Sequence, residues 1–167
     1  MIHCPESNLK LASGLCPVHR LRRAGIPVAL GTDGAASNND LDLFGEMHTA
    51  ALLAKGLSGD PSCLGAAEVI EMATLGGATA LGLEAEIGSL EAGKAADMIA
   101  VAFTDPGAIP LYNPLSQLVY TGCGRRVSHA WVAGHCVLDE RTHQTIDLPA
   151  LAARVREWRD RLAGNTR

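Results

Sequence analysis

The sequence predicts an α/β fold built around a parallel β/α crossover. A short apolar segment, residues 28–30, leads into a polar loop of small residues that carries the carboxylate Asp33. A second polar stretch, residues 3–14, comes directly after the apolar residues 1–2, as the Asp33 loop comes after residues 28–30. Between them, residues 17–24 have apolar side chains at three-residue spacing and end before Gly25, which is typical of a helix. Strand end, helix and strand end in this order predict two parallel strands joined by a crossover.

Asp33 is the candidate catalytic residue of this crossover. Asp–Gly pairs are common in turns, so the segment taken alone favours a loop cap. The two predicted strands, however, both end in polar and ionisable residues, and such ends form the active face in α/β enzymes. We therefore expect Asp33 to act as a metal ligand or a general base. Ser7 and Asn8 either fix the neighbouring loop or simply bond to the backbone.

A longer helix is predicted over residues 41–55, where apolar side chains recur at helical spacing. Asp40 and Asp42 favour its N-terminus through capping and the helix dipole. Glu46 and His48 lie on this helix but do not share a face. We expect both to be solvated surface residues rather than metal ligands.

Glycines are expected to delimit the helices in the middle of the chain. Gly56 ends the helix just described. The glycine pair at 76–77 separates a helix over residues 66–75 from a short helical turn over residues 78–81. Neither helix carries a convincing reactive group, so both are predicted to be packing elements.

The C-terminal part of the chain predicts a small β region followed by a helix. Residues 97–101 form a compact apolar strand, and the three prolines between 106 and 114 indicate an extended connection. Residues 126–138 predict a hairpin around Gly134, and the histidines on it are expected to be surface or core groups. Residues 148–162 predict an amphipathic helix. Its apolar stripe consists of Leu151, Val155, Trp158 and Leu162.

The composition argues against several classes of protein. The 167 residues are 47% apolar and 19% charged, as in a globular chain. A net charge of −4 without a basic stripe argues against a nucleic-acid partner. No apolar span of bilayer length is present, so we expect no membrane partner and a cytoplasmic location. The five scattered cysteines form no Cys-x-x-Cys pair, and Cys4 is not marked as a nucleophile.

Four segments together resemble the amidohydrolase superfamily. Residues 3–11 (HCPESNLKL) and 30–39 (LGTDGAASNN) look like its last two barrel strands with their loops, and residues 40–47 (DLDLFGEM) continue the match. Residues 88–97 (GSLEAGKAAD) resemble the segment that leaves the barrel for a small β domain. Within the superfamily, the likeness is to methylthioadenosine/S-adenosylhomocysteine deaminases and related chlorohydrolases.

The resemblance implies the C-terminal part of a metal-dependent (β/α)8 TIM barrel, with the last two strands and the helices that follow them. Residues 1–87 would belong to the barrel, residues 88–147 to part of a small β-sandwich-like composite domain, and residues 148–167 to a C-terminal helix. The sequence contains no His-x-His pair, which family members use as metal ligands. The other ligands are therefore expected outside this chain, and the isolated chain is expected to be inactive.

The resemblance also implies a reaction. Asp33 would contact a divalent metal, most simply Zn²⁺, and would accept the proton of the attacking water. The substrate, expected to be an adenine nucleoside that loses its exocyclic amine by hydrolysis, would contact Asp33, Ser37 and His3. Ser37 would bond to the ring or to the attacking water, and His3 would either order the neighbouring loop or meet the substrate. Alternatives are a guanine deaminase, a triazine chlorohydrolase, or a non-catalytic chain that needs an N-terminal partner. As for macromolecular partners, we expect either a homo-oligomer or a missing N-terminal portion.

Overall fold

The N-terminal crossover is present in the computed structural model, which describes residues 1–164. Strands β1 (Ile2–His3) and β2 (Ala29–Leu30) pair in parallel, with His3 opposite Leu30. Helix α2 (Val18–Arg23) lies between them in the chain. Gly25 follows with a φ of +74°, a conformation that suits glycine and stops the helix. The predicted order of strand, helix and parallel strand is confirmed.

A helix, α1 (Pro5–Lys10), occupies part of the stretch for which the sequence predicted a polar loop. Pro5 lies in its first turn, where the missing N–H is not needed. Glu6 lies at its N-terminus and Lys10 in its last turn, which matches the helix dipole. The prediction was wrong because residues 5–10 show no helical spacing of apolar side chains. The helix is favoured instead by the residues at its two ends, Pro5, Glu6 and Lys10.

The long helix α3 (Leu43–Ser58) begins two residues after its predicted start and ends three residues after its predicted end. The Asp42 side chain caps it by accepting a hydrogen bond from the N–H of Phe44 at 2.9 Å. The helix continues through Gly56 and ends at Gly59, whose φ is +68°. A glycine inside a helix costs only about 1 kcal/mol relative to alanine, so Gly56 alone does not stop it.

Two further helices, α4 (Ala66–Ala73) and α5 (Leu75–Leu81), follow α3. The break between them falls at Thr74, with φ −122° and ψ −94°, and not at the glycine pair, which lies inside α5. Gly76 allows close approach, because a Cβ there would lie 3.0 Å from the carbonyl oxygen of Glu71 and 3.5 Å from that of Val28. Gly76 therefore serves packing rather than interruption, whereas a Cβ at Gly77 would meet nothing within 4 Å.

A helix, α6 (Pro114–Tyr120), stands where the prolines indicated an extended connection. Asn113 caps it by accepting a hydrogen bond from the N–H of Ser116 at 3.0 Å, and Pro114 occupies the first turn. The helix packs on α3 and α4. Its Val119 is fully buried in the main apolar core. That core consists of Val18, Val28, Leu30, Met47, Ala50, Ala51, Ala54, Leu64, Val69, Met72 and Val119.

An antiparallel sheet accounts for the predicted β region. Its strands are β3 (Met98–Val101), β4 (Val127–Val132), β5 (His135–Asp139) and β6 (Thr142–His143), hydrogen-bonded in that order. The predicted hairpin is confirmed, with a two-residue turn at Ala133 and Gly134 whose φ values are +48° and +77°. Two consecutive positive φ values are those of a type I′ turn, which matches the twist of paired strands.

The last helix, α7 (Leu148–Gly164), has no buried residue among those described. Its apolar stripe is exposed to solvent, with Trp158 56% accessible. No helix within residues 1–164 combines the length and the apolar character that a membrane crossing requires. All five cysteines are free thiols.

Candidate active site

Asp33 lies in the loop that follows β2 at its carboxyl end, three residues after Leu30. Its φ is +60°, a left-handed conformation that aspartate adopts more readily than most residues. Gly31 precedes it, and a Cβ at that position would lie 3.0 Å from Cγ2 of Ile2. The strand end thus approaches β1 closely, and the chain then turns sharply to present the Asp33 side chain.

Three hydrogen bonds hold the Asp33 carboxylate. Oδ2 accepts from the hydroxyls of Ser7 at 2.8 Å and Ser37 at 2.9 Å, while Oδ1 accepts from the N–H of Gly34 at 2.8 Å. These bonds, the one from Ser7 first, lower the pKa of Asp33. The side chain is therefore an ionised and exposed acceptor at neutral pH. A carboxylate has about four acceptor positions, so Oδ1 retains one.

His3 ends β1, the strand adjacent to β2. Its side chain is buried, and its Nδ1 has no hydrogen-bond partner among residues 1–164. Burial lowers the pKa of His3, so the ring is neutral at pH 7. A neutral imidazole offers one donor and one acceptor nitrogen. The structure thus brings His3 and Asp33 to the ends of two neighbouring strands.

Ser37 is a buried residue of the loop that carries Asp33. Its single hydroxyl proton is shared between Oδ2 of Asp33 and the carbonyl oxygen of Gly34, at 2.9 and 3.2 Å. The hydroxyl can therefore meet a ligand only as an acceptor. Lys10 fastens the same loop to α1, because its Nζ donates to the carbonyl oxygen of Ala36 and to Oδ1 of Asn39.

Glu46 departs from the sequence prediction, which placed it on the solvated surface. The residue is completely buried. Its Oε1 accepts a hydrogen bond from Nδ2 of Asn38 at 2.7 Å, and its Oε2 accepts from the N–H of Glu6 at 3.1 Å. Burial, above all, raises the pKa of Glu46. A signal was present, because Glu46 precedes the buried Ala50 and Ala54 by four and eight residues on the same helix face.

Other reactive side chains lie outside this arrangement. Burial, followed by the charge of Glu46, raises the pKa of the Cys4 thiol, which does not favour a nucleophilic thiolate. His48 Nδ1 lies 3.2 Å from the carbonyl oxygen of Val119. His129 Nε2 lies 3.2 Å from Oδ1 of Asp139. The contact of His129 agrees with the expectation for it, whereas His48, expected on the solvated surface, is partly buried.

The donors that the described residues provide fit one part of a metal site. Within residues 1–164, no group of three or more His, Cys, Asp or Glu side chains is placed to hold a metal ion. Asp33 nevertheless has the properties of a single ligand, since its carboxylate is ionised and exposed and has an acceptor position left on Oδ1. A catalytic zinc takes about three protein ligands, with carboxylate oxygen among the accepted donors.

A polar and ionisable cluster at the carboxyl ends of parallel strands defines the class of α/β proteins whose active sites lie on that face. Asp33 and His3 place this chain in that class. The chain belongs to the amidohydrolase family, whose model matches residues 1–137.

Individual relatives agree with this assignment. The chain is 52% identical over 162 residues to a 5-methylthioadenosine/S-adenosylhomocysteine deaminase from Teredinibacter turnerae, covering 97% of this chain and 37% of that protein. A zinc-bound crystal structure of an adenosine deaminase from Xanthomonas campestris matches with a TM-score of 0.94 and 50% identity, over 98% of this chain and 37% of that one. The zinc complex of atrazine chlorohydrolase from Arthrobacter aurescens matches with a TM-score of 0.83 and 32% identity, over 92% of this chain and 34% of that one. The chain therefore spans slightly more than a third of these relatives.

Proposed function

We propose that this chain carries the aspartate-bearing part of a metal-dependent deaminase that acts on an adenine nucleoside such as methylthioadenosine, S-adenosylhomocysteine or adenosine. The observation that carries the proposal is the Asp33 carboxylate, held ionised and exposed at the end of β2. Relatives named as such deaminases, at about 50% identity, support the substrate class. In the proposed (β/α)8 barrel, β1 and β2 are neighbouring strands, and Asp33 opens onto the active face.

Asp33 has two tasks in the proposed reaction. It would hold the metal as one of its ligands, and the remaining ligands would come from outside this chain. When bound, a divalent ion, which we propose to be Zn²⁺, lowers the pKa of water so that a nucleophile is available near neutral pH. Asp33 accepts the proton as the water oxygen bonds to the ring carbon, and then returns it to the departing amine, which leaves as ammonia.

His3 and Ser37 are proposed to contact the substrate. The imidazole of His3 is buried and neutral, and its Nδ1 is enclosed without a partner among the described residues, so a contact with the substrate would use the other ring nitrogen. Ser37 has already committed its proton to Asp33 and Gly34, so it would accept a hydrogen bond from the substrate. The primary role of Ser37 is to hold Asp33 in place.

A triazine chlorohydrolase is the second candidate, because its zinc complex shares this fold at 32% identity. A guanine deaminase is the third, and a non-catalytic chain that needs an N-terminal partner is the fourth. The greater identity to the adenosine-type enzymes favours the first proposal. Ammonia release from adenine nucleosides and guanine, and chloride release from atrazine, distinguish the three catalytic candidates directly.

The test substitutes Asp33→Asn in protein that combines this chain with the rest of the amidohydrolase fold and zinc. The amide keeps the shape but cannot take the proton, so we expect kcat to fall about 10²–10⁴-fold. Asp60→Asn is the matched control, because Asp60 is also a loop carboxylate that accepts bonds from a serine hydroxyl and an amide, at Ser62. Wild-type turnover by Asp33→Asn would contradict the proposal.

The 167-residue chain on its own provides a further arm of this test. We expect no deamination from it with added zinc, since Asp33 supplies one ligand where a catalytic zinc takes about three. Robust turnover by the purified chain would show that its own residues complete the site.

A further inference from the structure

A buried polar network lies directly behind the Asp33 carboxylate. Glu46 of α3 accepts hydrogen bonds from α1, through the N–H of Glu6, and from the Asp33 loop, through Nδ2 of Asn38. Asn38 is itself held in one orientation, because its Oδ1 accepts from the N–H of Leu41 at 2.9 Å and from that of Asp40 at 3.3 Å. One carboxylate on a core helix thus joins the two segments whose hydroxyls hold Asp33.

The two residues that bond to Glu46 are each next in sequence to a residue that bonds to Asp33. Glu6 precedes Ser7, and Asn38 follows Ser37. Ser7 and Ser37 converge on the same oxygen, Oδ2 of Asp33. A displacement of α1 relative to the loop therefore changes the Ser7 contact, which joins the two segments.

The helix surface is shaped to admit this network. Gly45 lies in the first turn of α3, and a Cβ there would lie 3.1 Å from Oε1 of Glu6. The same Oε1 accepts a hydrogen bond from the Thr49 hydroxyl at 2.9 Å. A helical glycine is unfavourable relative to alanine, so its presence beside Glu6 indicates that the close approach of α1 matters.

We infer that Glu46 is a positioning residue, whose buried carboxylate fixes α1 and the 33–40 loop so that Ser7 and Ser37 hold the Asp33 carboxylate in one orientation. The catalytic consequence rests on the proposed function, but the geometric role does not. Partners that orient a metal ligand affect activity about 10–100-fold when they are removed, and we expect Glu46 to fall in that range.

A reciprocal exchange tests this role. In Glu46→Gln, the new amide N–H₂ faces either the N–H of Glu6 or Nδ2 of Asn38, and because both are donors, one hydrogen bond is lost. Asn38 cannot rotate its amide to compensate, because it would lose its bonds from Leu41 and Asp40. The double variant Glu46→Gln with Asn38→Asp restores every bond. The amide at position 46 donates to the carboxylate at position 38, its carbonyl oxygen accepts from Glu6, and position 38 still accepts from Leu41.

The measurement is solution NMR of the 167-residue chain without metal or substrate, at fixed neutral pH. The amide proton of Gly34 and the side-chain ¹³Cγ of Asp33 report the hydrogen bonds of the Asp33 carboxylate. We expect Glu46→Gln to shift both resonances and the double variant to return both to the wild-type positions. Val69→Ala is the control, because it weakens the buried core at α4 without touching the network.

A merely structural role predicts a different result. Glu46→Gln would then lower the melting temperature as Val69→Ala does, while the Gly34 and Asp33 resonances stay in place, and the inference would be wrong. If Glu46→Gln does not fold, the double variant decides, since a folded double variant with wild-type resonances supports the inference and an altered one overturns it. In the complete enzyme, kcat should fall about 10–100-fold with a smaller change in KM. Because the NMR measurement needs no turnover, it can succeed or fail independently of the Asp33→Asn assay.

Discussion

At the scale of single residues, two carboxylates at the same site have opposite surroundings. Asp33 is exposed and accepts three hydrogen bonds, which lower its pKa. Glu46 is buried, and the loss of hydration raises its pKa despite two hydrogen bonds. The first stays ionised and is suited to bind a cation, whereas the second is suited to hold neighbouring segments in place. Residue type alone does not distinguish them.

His3 gives a prediction about pH. Because burial lowers its pKa below the ordinary value of 6.5, the unfolded chain binds more protons at this residue than the folded chain. The free energy of unfolding contributed by His3 is therefore lost as the pH falls through 6.5, by at most about 1.4 kcal/mol per pH unit. Urea unfolding at pH 7.5, 6.5 and 5.5 should show a shallower pH dependence in His3→Gln than in wild type.

The control for this prediction is His143→Gln, since His143 is exposed on β6. It makes the same substitution at an exposed position, against which the slope of the buried-site variant is compared. An unchanged slope in His3→Gln would mean that the buried ring does not resist protonation.

At the scale of elements, the sequence predicted what local signals specify. The β1–α2–β2 crossover, the Asp42 cap and the hairpin at Gly134 follow from strand ends, capping residues and turn chemistry. Helices α1 and α6 were missed because each begins at a proline and has few residues to show a period. The Glu46 network was missed because it joins residues 40 positions apart, and only tertiary packing brings these together.

Helix α6 gives a prediction about packing. Val119→Ala removes two methyl groups from a fully buried site between α6, α3 and α4, so we expect the free energy of unfolding to fall by about 2 kcal/mol. Val132→Ala makes the same change on β4, where the side chain is 56% exposed, and should have an effect within about 0.5 kcal/mol. Equal effects in chemical denaturation would contradict the packing of α6 in the core.

At the scale of the whole molecule, α7 and the two-stranded sheet are two of the regions where apolar side chains are exposed. On α7, Leu151, Val155 and Trp158 are each about half accessible or more. Near the two-stranded sheet, Met1 and Ile2 are similarly exposed. Contiguous apolar surface of this kind favours association with other chains, and short unpaired strands do so as well.

We therefore predict that the purified 167-residue chain associates with itself. Multi-angle light scattering should give a mass above that of the monomer, and Trp158→Ser should lower it because it removes the largest apolar side chain of the α7 stripe. Tyr112→Ser provides the control, since Tyr112 is an aromatic residue 90% exposed elsewhere. A monomer at all concentrations would show that these surfaces do not associate.

The hairpin turn also bears on the order in which the molecule folds. Ala133 and Gly134 close β4 on β5 through the shortest possible connection, and hairpins form in about 1–10 μs. The Glu46 network forms only when Glu6 contacts Glu46, which lies 40 residues further along the chain. Contacts between residues so far apart in sequence carry a larger entropic cost of loop closure. Alanine is a poor residue for the positive φ at position 133, and asparagine accepts it readily. In temperature-jump relaxation, which resolves microseconds, Ala133→Asn should therefore speed formation of the hairpin, and in stopped-flow refolding it should leave the slower assembly of the Glu46 network unchanged.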